Sequence, residues 1–286
     1  MERSSNELAA NMNQPSWKDQ NRVRMAALEE AYVEYQVIAF FDLDHTLLDG
    51  ANGTIYAVQM VREKLMAKRV LLLVIWYSIL YKLNRLPREA VYRKVLDEMG
   101  RYTVLRMIEL MDYGFEHFII PKLFAGGVAI VREHKNKGHR TVIATAAGEY
   151  IAERVRAQLG ADDFIATPTP IKGDHMTSKL MGPFAFMEGK LEMARQYCAD
   201  RGVSLADCWF YSDSTSDLPL LEAVGHPVLV NPQLKLRLAA RGRGWPVLKF
   251  KGYASFDRVV RPSRVATPEM NHFLQIYEAA LTEQQA

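Results

Sequence analysis

Residues 37–48 read VIAFFDLDHTLL. Five apolar residues run without interruption and stop at Asp42 and Asp44. An unbroken apolar run bounded by polar residues is the pattern of a short strand buried on both faces, as in a parallel sheet. In open α/β sheets the ligand site lies at the carboxyl ends of the strands. Two carboxylates at that place are therefore the first candidates for chemistry.

Outward from this run, the same pattern recurs downstream. Thr141–Ala144 (TVIA), Cys208–Tyr211 (CWFY), Pro227–Val230 (PVLV) and Val247–Phe250 read as strands. Between them lie helical patterns at Glu149–Leu159, Lys190–Arg201, Leu218–Ala223 and Leu234–Arg241, the first closed by Gly160 in the manner of a C-cap. Asp163–Ile171 and His175–Met181 read as extended, with Gly173-Asp174 as a hairpin turn. Strands alternating with helices predict an α/β fold with a doubly wound, parallel sheet.

The stretch from about Tyr56 to Lys137 is different. Helical patterns cover Ile55–Ala67, Val70–Asn84, Arg88–Met99, Val104–Phe118 and Ala129–Lys137, with breaks at Leu86-Pro87, Gly100 and Gly126-Gly127. The expected organisation is an N-terminal helical extension (1–35), a core made of 36–54 and 126–252, a helical insertion (55–125) after the first strand, and a C-terminal tail (253–286). Within that tail, Thr267-Pro268-Glu269 resembles a helix start.

The 286 residues carry a net charge of +3, with 49% hydrophobic and 24% charged residues. That is the composition of a soluble globular protein, and the charge is too small to point to nucleic acid. Nine Lys or Arg and one acid, Asp257, fall between Lys235 and Arg264. Such a patch is either a solvated rim or a surface for a polyanion, including peripheral contact with an anionic membrane. The most apolar stretch, Val70–Tyr81 (VLLLVIWYSILY), falls short of the ~20 residues that span a bilayer. It reads as a buried helix, with an interfacial helix as the alternative given its basic flanks. The polar N-terminus is not a signal peptide, and Cys198 and Cys208 form no disulfide framework. A cytoplasmic setting is expected.

Reading the residues after each apolar run in order yields Asp42 and Asp44, Thr145, Lys190 at a helix start, and Asp213 with Asp217. Paired carboxylates this close repel unless a proton or cation intervenes, and clustered hard oxygens suit Mg²⁺. A phosphate ester completes the inventory. Asp42 serves as nucleophile, Asp44 as acid and base, Lys190 and Mg²⁺ as positive charge, and Thr145 as a hydrogen-bond donor to a phosphoryl oxygen.

These residues resemble the haloacid dehalogenase superfamily. DLDHT is similar to its first motif, DxDxT; Thr145, Gly189-Lys190 and YSDSTSDLPLLEAVGHPVLVNP resemble the second, third and fourth. HMTSKLMGPFAFMEGK and GWPVL are similar to the phosphoserine-phosphatase-like branch, subfamily IB. The resemblance, over roughly residues 37–250, implies a Rossmann-like core with a small all-helical cap inserted after the first strand. It implies a Mg²⁺-dependent phosphomonoesterase working through an aspartyl-phosphate on Asp42. The metal would be held by the Asp42 and Asp213 side chains and the Asp44 backbone carbonyl, with Asp217 as a ligand or one step removed.

One departure bears on the substrate. Nine residues after the nucleophile, where phosphoserine phosphatases carry a glutamate for the substrate's amino group, this chain has Ala51. An amphiphilic or lipid phosphate, phosphatidylglycerophosphate-like, stands beside phosphoserine or another small metabolite as a substrate. A catalytically silent binding protein is the alternative from another class. A phosphonatase would use a cap lysine such as Lys64, Lys82 or Lys94. Asp49 reads as a turn residue, Asn52-Gly53 as a turn signal rather than a site, and Ser212, Ser214 and Ser216 as structural. His45 reads as a lining or packing residue and Asn231 as a rim residue; His117, His134, His139, His175 and His226 read as surface or packing.

Overall fold

The computed structural model describes residues 37–64, 93–94, 96–97, 99–177, 183–262 and 268–285. The expected N-terminal extension, the helix Val70–Asn84 with its apolar stretch, and most of Arg88–Met99 lie outside the described residues.

The chain order is β1 (Ile38–Phe41), α1 (Asn52–Arg62), α2 (Val104–Gly114), α3 (Ala125–Asn136), β2 (Arg140–Gly148), α4 (Glu149–Leu159) and β3 (Asp163–Thr167). A small hairpin follows, β4 (Ile171–Lys172) and β5 (His175–Met176), and then α5 (Glu188–Ala199) and β6 (Trp209–Ser212). The chain closes with α6 (Leu218–Ala223), β7 (His226–Val230), α7 (Leu234–Ala239), β8 (Val247–Leu248) and α8 (Pro268–Gln285). Six strands form one sheet in the order β3-β2-β1-β6-β7-β8, with every neighbouring pair parallel.

β1 occupies the middle, and its residues alternate between two cores. Ala39 and Phe41 join one cluster with Tyr211, Val228 and residues of α2, α3, α4 and α8. Ile38 and Phe40 join the other with Phe210, Leu229 and residues of α5, α6 and α7. All four β1 residues are fully buried. This double burial is why the strand is uniformly apolar rather than alternating. Each buried Phe contributes roughly 1.5–3 kcal/mol, so sliding β1 by one residue would drive Asp42 into the core.

Gly126 and Gly127 do not break the chain as expected; they lie in the first turn of α3. A Cβ on Gly126 would stand 2.5 Å from the Phe250 ring, and one on Gly127 2.8 Å from Leu47 Cδ2. Close packing of the helix start, not backbone reversal, is what the two glycines provide. The helix expected over Val104–Phe118 stays α-helical only to Gly114, then widens into a π-turn at Phe115–Ile119 and tightens at Ile120–Lys122.

The expected C-terminal tail is packed against the rest. Met270 and Leu274 of α8 are buried beside α2. Residues 258–261 bind α4 and the π-turn: Gln158 bonds the Arg258 carbonyl and the Val260 amide, Arg154 donates to the Val260 carbonyl, and Arg261 pairs with Glu116. Phe273 and Tyr277 pack against the same cluster, so the described core-facing positions of α8 are 270, 273, 274 and 277, one side of a helix.

Candidate active site

Strand register brings the candidate residues together. Phe41 pairs with Ile143 on one side and Tyr211 on the other. Asp42 is therefore one residue past this line, and Thr145 and Asp213 are two past it. The Asp42 amide donates to the Tyr211 carbonyl at 2.9 Å. β2 runs on to Gly148, past the expected end at Ala144, but its ladder with β3 loses register between Ala144 and Gly148. Thr145 sits at the start of that irregularity, and its Oγ1 accepts from the Ala147 amide.

Lys190 lies in the first turn of α5, an unfavourable end of a helix for a cation. It is buried and bridges two carboxylates: its Nζ stands 2.9 Å from Asp42 Oδ1 and 2.8 Å from Asp217 Oδ1. The turn before it is tight. Met187 takes a left-handed φ of 52°, and any Cβ at Gly189 would collide with the Phe184 carbonyl. A glycine before the lysine is thus a packing requirement. Burial opposes the Lys190 charge, but Asp217 and Asp42 outweigh it and hold its pKa above the ordinary value.

Asp42 is engaged at both oxygens, Oδ1 by Lys190 and Oδ2 by the Thr46 hydroxyl at 3.2 Å. Burial nevertheless pushes its pKa up to about 7, with Asp217 and Asp44 adding to the rise and Lys190 opposing it. Asp213 is pushed to about 8, again first by burial and then by Asp42, while a hydrogen bond from Gln233 resists. Asp217 is locked between Lys190 and the Ser212 hydroxyl, which donates to its Oδ2 at 2.7 Å.

Asp44 is turned toward the start of α1. Its carboxylate accepts the Asn52 backbone amide at 2.9 Å and the Asn52 side-chain amide at 2.7 and 2.8 Å on its two oxygens. Burial raises the Asp44 pKa and these Asn52 bonds pull it back down. His45, exposed and in the left-handed region at φ 61°, makes the sharp turn that lets the chain fold back from Asp44.

Two residues of this site were not singled out in the sequence. Asn52, read there as a turn signal, is the first residue of α1 and holds Asp44. Gln233 donates to Asp213 Oδ2 at 2.8 Å and through its backbone to the Asp213 carbonyl at 3.0 Å. Gln233 follows β7, so the strand-end rule that found Asp213 would have reached it. Asn231 bonds the Phe250 backbone on both its amide and carbonyl sides, tying the rim together. Among the described residues, no group of three or more His, Cys, Asp and Glu side chains is arranged to hold a metal ion.

The model of the haloacid dehalogenase-like hydrolase family matches residues 39–222, more than half the chain. The chain is a member of that family. It is 30% identical to a probable phosphatase of Mycobacterium tuberculosis over 80% of each chain. It is also 30% identical to a histidinol-phosphatase of Neisseria meningitidis, over 75% of this chain and 99% of that one. A crystal structure of a protein of unknown function from Bordetella pertussis superposes with a TM-score of 0.70 at 28% identity, covering 75% of this chain and 98% of the other.

Proposed function

We propose that the chain, a phosphatase of the haloacid dehalogenase-like family, hydrolyses a small-metabolite phosphate monoester through an aspartyl-phosphate on Asp42. The observation that carries this reading is the bridge Asp42–Lys190–Asp217, a buried nucleophile candidate held by a buried cation. An Asp42 oxygen attacks phosphorus and the ester P–O bond breaks. Asp44 gives its proton to the departing oxygen. In the second half, Asp44 takes a proton from water, the water oxygen attacks phosphorus, and the bond to Asp42 breaks to release inorganic phosphate. Three donated bonds from Asn52 favour the Asp44 anion, so Asn52 sets when Asp44 carries its proton. Lys190 and the Thr145 hydroxyl would donate to the phosphoryl oxygens.

The donor set fits Mg²⁺. Asp42 and Asp213 are hard, buried carboxylates; beyond burial, Asp217 and Asp44 raise the Asp42 pKa, and Asp42 raises that of Asp213. A divalent cation relieves that repulsion. It would rest on the Asp42 and Asp213 carboxylates and the Asp44 carbonyl, and when bound would supply positive charge against the phosphoryl oxygens. Asp217, 2.8 Å from the Lys190 ammonium, orients that lysine and would stand as a metal ligand or one step removed.

A pH dependence follows. A carboxyl whose pKa is higher folded than unfolded stabilises the fold below the unfolded value and loses that contribution as pH rises through the folded value. For Asp42 and Asp213 the window runs from 3.8 to about 8. With a chelator present, the thermal midpoint is expected to fall by several degrees across the upper half of that window. Added Mg²⁺ is expected to abolish the fall. A Mg²⁺ effect as large at pH 5 as at pH 8 would contradict the assignment of these ligands.

A second reading, an amphiphilic phosphatidylglycerophosphate-like substrate, is favoured by one observation: exposed leucines and basic residues lie immediately beside Gln233 at the rim. Ala51, where the branch has its glutamate, removes the partner that phosphoserine's ammonium would need. The test is a Mg²⁺-dependent panel with phosphoserine, histidinol phosphate and a micellar lipid phosphate as separate arms. Hydrolysis in at least one arm, lost with chelator, is expected. A folded protein inert to the whole panel would favour a binding protein instead.

A further inference from the structure

The rim segment beyond Gln233 is built in an unusual way for a solvated surface. Leu236 of α7 and Ala240, the residue that ends it, are buried in the core on that side of the sheet. Leu234 and Leu238 stand two positions from Leu236 on either side, which turns them about 160° away on a helix. They are 70% and 58% exposed. Around them, residues 234–251 contain six Lys or Arg and no acid. Arg243 pairs with Glu222, and Lys235, Arg237, Lys249 and Lys251 are exposed. The two halves of this surface are one body. Asn231, two residues before Gln233, is hydrogen-bonded at both ends of its side-chain amide to the backbone of Phe250, between Lys249 and Lys251.

Adjacent exposed leucines in a field of one sign serve poorly as a solvated face. They match an anionic bilayer surface, where apolar side chains enter the headgroup boundary and cations meet the lipid phosphates. We propose that α7 and the segment 249–251 dock this protein on an anionic lipid surface, with Leu234 and Leu238 inserted and the basic residues against the headgroups. The docking face begins one residue after Gln233, which holds Asp213. Docking thus sets the rim of the catalytic site at the membrane plane. The inference goes beyond the phosphatase reading and holds for either substrate class.

The experiment is co-sedimentation of the full chain with vesicles of phosphatidylcholine containing one quarter phosphatidylglycerol, against vesicles of phosphatidylcholine alone. The wild type is expected to sediment with the anionic vesicles at low salt, to be released at high salt, and to ignore the neutral ones. The pair Leu234→Asp and Leu238→Asp should lower partitioning about tenfold or more, and the pair Lys235→Glu and Arg237→Glu likewise. Leu234→Ser with Leu238→Ser serves as the milder apolar variant should the aspartates perturb folding. Hydrolysis of a soluble aryl phosphate by these variants should match wild type, which separates failure of docking from failure of catalysis. No sedimentation at low salt, equal binding to neutral vesicles, or undiminished binding of the leucine variants would overturn the proposal. So would RNA binding that survives the leucine substitutions without vesicle binding, or a dimer abolished by them.

Discussion

Asp42→Asn is expected to lower turnover of any accepted phosphate ester by a factor of about 10³ or more, to background, while the protein becomes no less stable. The first half follows from covalent chemistry. An amide oxygen is a poor nucleophile toward phosphorus, and among the described residues no other carboxylate shares both the strand-end position and the contact with Lys190. The second half follows from electrostatics. Burial lifts the Asp42 pKa to about 7 in spite of Lys190, so above that pH the ionised carboxylate costs folding free energy that a neutral amide does not. Thermal melts of the two proteins at pH 8 with chelator present should therefore show the variant at or above wild type. A variant that loses activity and melts markedly lower would instead assign Asp42 a structural role.

Lys190→Met is expected to lose both activity and stability. Its ammonium is the shared partner of Asp42 and Asp217. Removing one member of a buried ion pair leaves uncompensated charge and costs about 3–5 kcal/mol, a drop of roughly 10 °C in the thermal midpoint for a chain of this size. Turnover should fall by about 10²–10³, the usual effect of removing a preorganised charge from a site of developing negative charge. Adding Asp217→Asn should recover part of the stability by neutralising one stranded carboxylate, but none of the activity. Recovery of both would mean that Lys190 acts only as a packing partner.

The contrast between these two residues shows what could be read in advance. Asp42, Asp213 and Thr145 follow apolar runs, and a strand buried on both faces announces its own end. Lys190 was visible because a cation at a helix start invites an explanation. The parallel order was likewise legible from the alternation of strands and helices downstream of residue 140. Asn52 was hidden because Asn-Gly is a turn signal, and nothing local tells that its side chain reaches back eight residues to Asp44. Gly126 and Gly127 misled for a related reason: the need for missing Cβ atoms lies in Phe250 and Leu47, far away in sequence. Long-range contacts of this sort leave no periodic trace, whereas strand ends do.

The most direct test of the central claim is to find the phosphate on Asp42. The Mg²⁺-loaded enzyme, mixed with a hydrolysed ester from the panel and quenched in acid within a turnover, is digested and its peptides weighed. The account predicts a phosphate carried by the peptide containing Asp42, absent from the Asp42→Asn protein. Turnover at the wild-type rate by Asp42→Asn, or a phosphate found on another residue, would contradict it.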